Sequence, residues 1–173
     1  MLYEYDKALE RKFLQVYNNV VYAPVNRFYE RYLLNHDNKT EVKLPAISIW
    51  RTNYEFDTVG AIAPLTIPKS IYRGYRYDEV NKLYSIPVRL TYQIDLWASS
   101  DIERDDLLKE VMYYLLLDPE IYVKYDNLVR QFAIQLDDPE DTTDISNFDA
   151  EGDMFRVTIP LRIPDAQLLF TLQ

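Results

Sequence analysis

The sequence predicts an α+β fold: an antiparallel, mostly four-stranded sheet with helices packed on one face and a long extended arm or β-hairpin. Three observations lead there. Residues Tyr84 to Trp97 alternate strictly, with Ile86, Val88, Leu90, Tyr92, Ile94 and Leu96 on one side and Pro87, Arg89, Thr91, Gln93, Asp95 and Trp97 on the other, the period-two signature of a half-buried strand. Met154 to Ile163 repeats the pattern, with Phe155, Val157, Ile159, Leu161 and Ile163 set against Arg156, Thr158, Pro160 and Arg162. Between these runs, Ser100-Asp101-Ile102-Glu103 has the spacing of a capping box, in which serine and glutamate side chains each satisfy an orphan amide at a helix start. Strands that are apolar on one side only call for an antiparallel sheet covered by helices on that side.

The remaining elements follow in chain order. Leu9, Phe13, Leu14, Val16 and Tyr17 lie among charged residues at helical spacing and predict a first helix over 4–18. Val20 to Ala23 reads as a short strand closed by Pro24, and Phe28, Tyr29, Tyr32 and Leu33 return to helical spacing over 25–34. Asn35 to Lys43 is a polar loop holding His36, for which no role is assigned. Ala46 to Trp50 alternates directly after Pro45. Asn53 to Leu83 shows no helical stripe, and a structureless loop of that length is rare inside a compact domain, so 53–83 is expected to form the arm. The helix after the capping box places Leu107, Leu108, Val111, Met112 and Leu115 on one face and stops before Pro119. Val129 to Asp137 reads as a further strand through Phe132, Ile134 and Leu136, and Pro87 and Pro160 are expected at strand ends or edge positions, where a ladder donor is not needed.

At 173 residues the chain fits one domain spanning 1–173, large enough to bury a sizeable core without a disulfide or metal staple. It has no cysteine and one histidine, which excludes thiolate chemistry and removes most of the usual bases and nitrogen ligands. No cofactor is expected, and no enzyme. The opening Met1-Leu2-Tyr3-Glu4-Tyr5-Asp6 has neither a basic leader nor an apolar core, and no apolar stretch approaches the roughly 20 residues of a membrane span. The expectation is a soluble chain made in a cytoplasm, with no membrane partner. A net charge of -9 opposes general binding to a phosphate backbone. Sixteen tyrosines suit half-wet contact surfaces as well as the margins of strands.

Two segments invite chemistry. Residues 137–153 form an acidic loop carrying Asp137, Asp138, Glu140, Asp141, Asp144, Asp149, Glu151 and Asp153. Asn147, Asp149, Glu151 and Gly152 reproduce the opening of a calcium loop, but its twelfth position is Thr158, where a bidentate glutamate is needed. The simpler expectation is a solvated acidic loop with no metal, and the carboxylate pair Asp137 and Asp138 has nothing nearby to bury it into acid–base service. In the arm, Tyr72, Arg73, Tyr75, Arg76 and Tyr77 interleave aromatic and cationic groups. That mix can stack bases, yet three cations, counting Lys69, in an acidic chain fit better a contact with a neighbouring subunit. These five are the expected interface residues, and the acidic loop is their plausible complement.

The order of elements in the second half carries a resemblance. A Pro-flanked alternating strand, Ser85 to Trp97, leads through a short acidic turn into an amphipathic helix, then two strands separated by an acidic excursion. With the Leu44-Pro45-Ala46-Ile47-Ser48-Ile49 strand and the closing Met154-to-Ile159 strand, residues 45–165 resemble the tail-completion and tail-sheath-stabiliser proteins of contractile-tailed bacteriophages, a group related in fold to tail terminators. The resemblance implies a single tail-terminator-like domain forming a homo-oligomer, a hexameric ring, at the head-proximal end of the tail. Such a ring ends the tail tube, holds the tail sheath and joins the neck or connector proteins, while DNA passes through an acidic lumen without specific binding. The implied location is the virion, assembled in the host cytoplasm. The alternatives are a head-to-tail connector of the neck, a divalent-metal enzyme using the acidic loop, and a single-strand nucleic-acid binder using Tyr72, Tyr75 and Arg76.

Overall fold

Two strands of 16 residues each, β4 (Leu83–Ala98) and β9 (Phe155–Phe170), pair antiparallel along nearly their whole length and form the axis of the protein. The structure is a computed structural model and describes residues 2–30, 43–56, 76–78, 80, 82–142 and 154–170. Their other elements are helix α1 (Leu2–Leu14), β1 (Val20–Tyr22), the short helix α2 (Val25–Phe28), β2 (Ala46–Phe56), β3 (Arg76–Asp78), α3 (Asp101–Leu117), β5 (Glu120–Tyr125), β6 (Leu128–Ala133), β7 (Gln135–Leu136) and β8 (Glu140–Asp141).

The fold is α+β. Among the described residues, seven strands form one sheet in the order β1-β2-β4-β9-β7, with β3 also pairing β4 and β8 also pairing β9. β2, β4, β9 and β7 are antiparallel neighbours, which matches the expected four strands roughly. The sheet as a whole is mixed, because β1 joins the outer edge of β2 in parallel, with Val20 opposite Ile47 and Tyr22 opposite Ile49. Asn19 C=O accepts from Ile47 N and Ile49 C=O from Ala23 N, continuing that ladder at both ends.

Alternation sorts the sheet into two faces. Val88, Leu90, Tyr92, Ile94 and Leu96 of β4 join Val157, Ile159, Leu161 and Ile163 of β9 and Ile47 and Ile49 of β2 in the main core. Tyr5, Ala8, Leu9 and Phe13 of α1 and Leu107, Val111 and Leu115 of α3 cover that face. Helix α2 departs from the expected one-sided arrangement. Its Phe28 stacks on Trp97 at 5.1 Å in a second cluster with Ala23, Ala46 and Met154, and Trp97 points away from the main core because it follows Leu96. The parallel β1 carries the chain across the sheet edge to this side.

A β-bulge at Thr52 keeps the pattern in phase. Arg51 is opposite Tyr92 and Asn53 opposite Thr91, so Thr52 is the extra residue and Tyr54 and Phe56 return to the side of Leu90 and Val88. The first part of the expected arm is therefore the outer half of β2, and its last part includes β3; 57–75 lie outside the described residues.

The segment expected as one strand over 129–137 is two. β6 pairs β5 in a separate hairpin, which packs Ile121, Val123 and Phe132 on the main core, and only β7 joins the sheet. The tight loop at Asp126-Asn127 places Asp126 at φ 53°, a left-handed conformation that aspartate tolerates better than most residues. β9 also runs seven residues beyond Ile163, the expected end. Pro160 and Pro87 lie inside long strands but at gaps in the ladder. Pro160 C=O accepts from Asp137 N, so its nitrogen faces the same outer side, between the pairings of β7 and β8. Pro87 falls between the stretches of β4 paired by β3 and β2.

Candidate functional site

Two buried polar clusters on opposite faces of the sheet and one exposed surface stand out among the described residues. On the main-core face, Asp6 of α1 is buried against Tyr92 and Arg51. Tyr92 Oη donates to Asp6 Oδ1 at 2.7 Å, and Arg51 Nη1 lies 3.2 Å from the same oxygen. Tyr22 Oη accepts from Arg51 N at 3.4 Å. Burial, then the nearby carboxylate, pushes the Tyr92 and Tyr22 hydroxyls far above the usual phenol range. Both stay protonated donors. The cluster therefore fastens α1 to β1, β2 and β4.

On the opposite face, Asp95 of β4 is 2% exposed. Thr158 Oγ1 donates to Asp95 Oδ1 at 2.6 Å and Gln93 Nε2 to both carboxylate oxygens at 3.1 and 2.9 Å, while the Arg156 guanidinium stands off at 3.9 Å. Arg156 Nε donates to Thr142 Oγ1 at 2.8 Å, and the Thr142 and Thr158 hydroxyls are 2.8 Å apart. Because Thr158 gives its proton to the carboxylate, it accepts from Thr142, and the chain runs one way from guanidinium to carboxylate. Burial raises the Asp95 carboxyl above its ordinary range, against the opposing pull of Thr158, Gln93 and Arg156. Next to it, Trp97 Nε1 donates to Ser48 Oγ at 2.9 Å and the Arg156 guanidinium lies over the Trp97 ring at 5.3 Å.

Thr158, the residue in the twelfth position of the calcium-like pattern, is thus committed to the sheet. Asn147, Asp149, Glu151, Gly152 and His36 lie outside the described residues. Asp137 pairs with Arg162 and Asp141 with Arg104, so the described ends of the acidic segment meet cations from elsewhere in the fold. Among the described residues no three acidic or histidine side chains gather as a metal site requires, and no helix is long and apolar enough to cross a membrane. Of the expected interface residues, Tyr72, Arg73 and Tyr75 lie outside the described residues. Arg76 and Tyr77 are placed by backbone only, in β3 opposite Ser85 and Tyr84. An open groove of about 550 Å³ is lined by Glu4, Leu83 and Lys124 to Leu128, at the end of the molecule where the hairpin loop meets the start of α1.

Helix α3 supplies the exposed surface. Ser100 Oγ accepts from Glu103 N at 3.1 Å, while the Glu103 carboxylate accepts from Ser99 N and Ser99 Oγ at 2.7 Å each, so the return half of the capping box reaches one residue further back than expected. Leu107, Val111 and Leu115 face the core. On the other side Tyr113, Leu116 and Leu117 are 68, 69 and 66% exposed, and Ile102 is exposed as well. The outer side of α3 thus mixes exposed charged residues with exposed apolar ones, and the apolar ones are uncovered. The sequence signal is the run Met112 to Leu117, which exceeds what a one-sided stripe needs.

No protein-family model matches this chain, and no curated protein matches it either.

Proposed function

We propose that the chain is a non-catalytic structural protomer of a ring at the head-proximal end of a contractile phage tail, where it ends the tube, stabilises the sheath and joins the neck. The observation that supports this best is the order of β4, capped α3, the β5–β6 hairpin, the acidic excursion and β9. With a single strand over 129–137 in place of the hairpin, this is the order on which the resemblance to tail-completion proteins rests. The uncovered apolar residues of α3 agree with a protein whose work lies in its outer contacts. On this reading the arm over 53–83, with Tyr72, Arg73, Tyr75, Arg76 and Tyr77, reaches the adjacent subunit, and head-to-tail contacts close into a hexamer. The net charge of -9 lets DNA slide through the lumen without gripping it.

Electron microscopy and native mass measurement of the purified protein, alone and with purified tail tubes and sheath, test the proposal. Six-membered rings capping tubes are expected. Rings that bind portal-side neck proteins but neither tube nor sheath would reassign the chain to a head-to-tail connector, and a protein that stays solitary beside all of them would overturn the ring.

A further inference from the structure

The outer stripes of the two long helices share one spacing. On α1 the solvent-facing row is Tyr3, Lys7, Glu10 and Leu14; on α3 it is Ile102, Asp106, Lys109 and Tyr113, continued by Leu116. Each advances by four, three and four residues, the interval of a coiled-coil seam. Laid side by side in the same direction, the rows match position by position. Tyr3 meets Ile102, Lys7 meets Asp106, Glu10 meets Lys109 and Leu14 meets Tyr113. In this register the two central pairs, Lys7 with Asp106 and Glu10 with Lys109, are of opposite charge.

Tyr3, Leu14, Ile102, Tyr113 and Leu116 are exposed; Asp106 and Lys109 are exposed at 67 and 79% of their side chains, and Lys7 and Glu10 partly so, at 41 and 19%. The charges in each row also pair within their own helix, Lys7 with Glu10 at 2.9 Å and Asp106 with Lys109 at 3.8 Å. Within one chain the two helices cannot meet this way, since both are seated on the sheet and joined near their C-terminal ends, where Lys12 bridges to Asp118 at 2.7 Å and Tyr114 Oη donates to Lys12 C=O at 2.9 Å.

We infer that α1 of one copy packs in parallel along α3 of the next copy, in this register, as the head-to-tail contact of the ring; the inference rests on the ring reading above and specifies its interface. Two different rows, each used once per copy, make a heterologous contact that propagates around a ring. An isologous pairing of two α3 helices would instead leave the α1 row uncovered. A seam of about 20 Å, the length of a 13-residue helix, buries less than the roughly 800 Å² per partner of a standard interface. With charges in its centre it is also weakened by salt. The contact is therefore modest alone and tightens when the tube gathers several copies.

The test is a charge exchange that keeps each helix's own ion pair and the net charge. K7E/E10K reverses the order of charges on α1 and D106K/K109D reverses it on α3. Sedimentation velocity and native mass spectrometry, with and without tail tubes, should show at least a tenfold loss of ring population for either pair. Recovery is expected when all four substitutions are combined, along with loss in wild type on raising salt from 50 to 500 mM. Leu116→Asp and Tyr113→Asp, on exposed sites, should disrupt rings while leaving circular dichroism and melting unchanged. Rings that persist in both pairs would overturn this contact and leave the tail-ring reading standing. A wild-type dimer broken by Leu116→Asp but indifferent to K7E/E10K would replace it with an α3–α3 contact. A wild-type monomer beside its tubes would remove the ring itself.

Discussion

Asp6 and Asp95 are both nearly sealed from water, on opposite faces of the same sheet, and the protein accommodates them by different means. Asp6 has a countercharge, Arg51, at 3.2 Å and a tyrosine hydroxyl at 2.7 Å. Asp95 has neutral donors at hydrogen-bond distance and a guanidinium only at 3.9 Å, partly neutralised through two threonine hydroxyls. A nearby countercharge with one short hydroxyl donor compensates burial locally, and removing the guanidinium leaves a buried charge unpaired. A relay of hydroxyls spreads the compensation over several elements, and the carboxyl keeps a raised affinity for protons.

Breaking the ion pair should have the largest effect on stability. Asp6→Ala leaves Arg51 without its buried partner and Tyr92 without its acceptor, and a loss of about 3–5 kcal/mol is expected from urea unfolding. Arg51→Met together with Asp6→Leu should recover much of it, since an apolar pair needs no compensation. Ile94→Ala, a pure packing change at a fully buried site between the two clusters, should cost about 2–5 kcal/mol, and equality with Asp6→Ala would mean that the pair acts mainly by volume. Interrupting the relay should be milder. Thr158→Val removes one donor to Asp95 and one partner of Thr142, for about 1–3 kcal/mol, visible as a lower denaturation midpoint. Ser100→Ala, at a partly buried helix cap, should cost about 1 kcal/mol and serves as the small reference.

The pH response sharpens the comparison. Because the folded Asp95 carboxyl is raised above its ordinary value of 3.8, the native state holds that proton more tightly than the unfolded chain does. Its contribution is fully present below pH 3.8 and is lost as pH rises through the raised folded value. The stability of wild type relative to Asp95→Asn should therefore fall between those points and then level off. A difference that grows with rising pH over that window would show that the relay holds Asp95 as a favoured anion.

The sequence displayed much of this architecture, and the misses have physical reasons. β4, β9 and the capped α3 were legible because each repeats one period over many residues, and the cap needs only local groups. The β5–β6 hairpin was overlooked because Ile121 and Val123 alternate over a run too short to separate from the end of α3. Its Asp126-Asn127 turn also lacks the glycine that usually announces one. The parallel seat of β1 depends on partners 27 residues away in sequence, from Val20 to Ile47, which no local pattern records. Asp95 was hidden by the alternation itself. The period assigns it to the solvent side, and only Thr158, Gln93 and Arg156 around it, which no local pattern places together, give its burial compensation. The uncovered side of α3 could have been seen in Met112 to Leu117, six apolar residues in a row, had the length of the run been weighed beside its spacing.

Pro160 leaves the outer rim of β9 without a donor where β7 gives way to β8, and Asp137 already occupies the carbonyl beside it. An unrelated extended peptide reaching that rim would find a missing rung and no straight run on which to zip. Exposed strand rims invite strand stacking between copies of a protein. Pro160 at this seam, one of two prolines in the 16-residue β9 with Pro164, lets the strand stay long without offering an unbroken template for fibres.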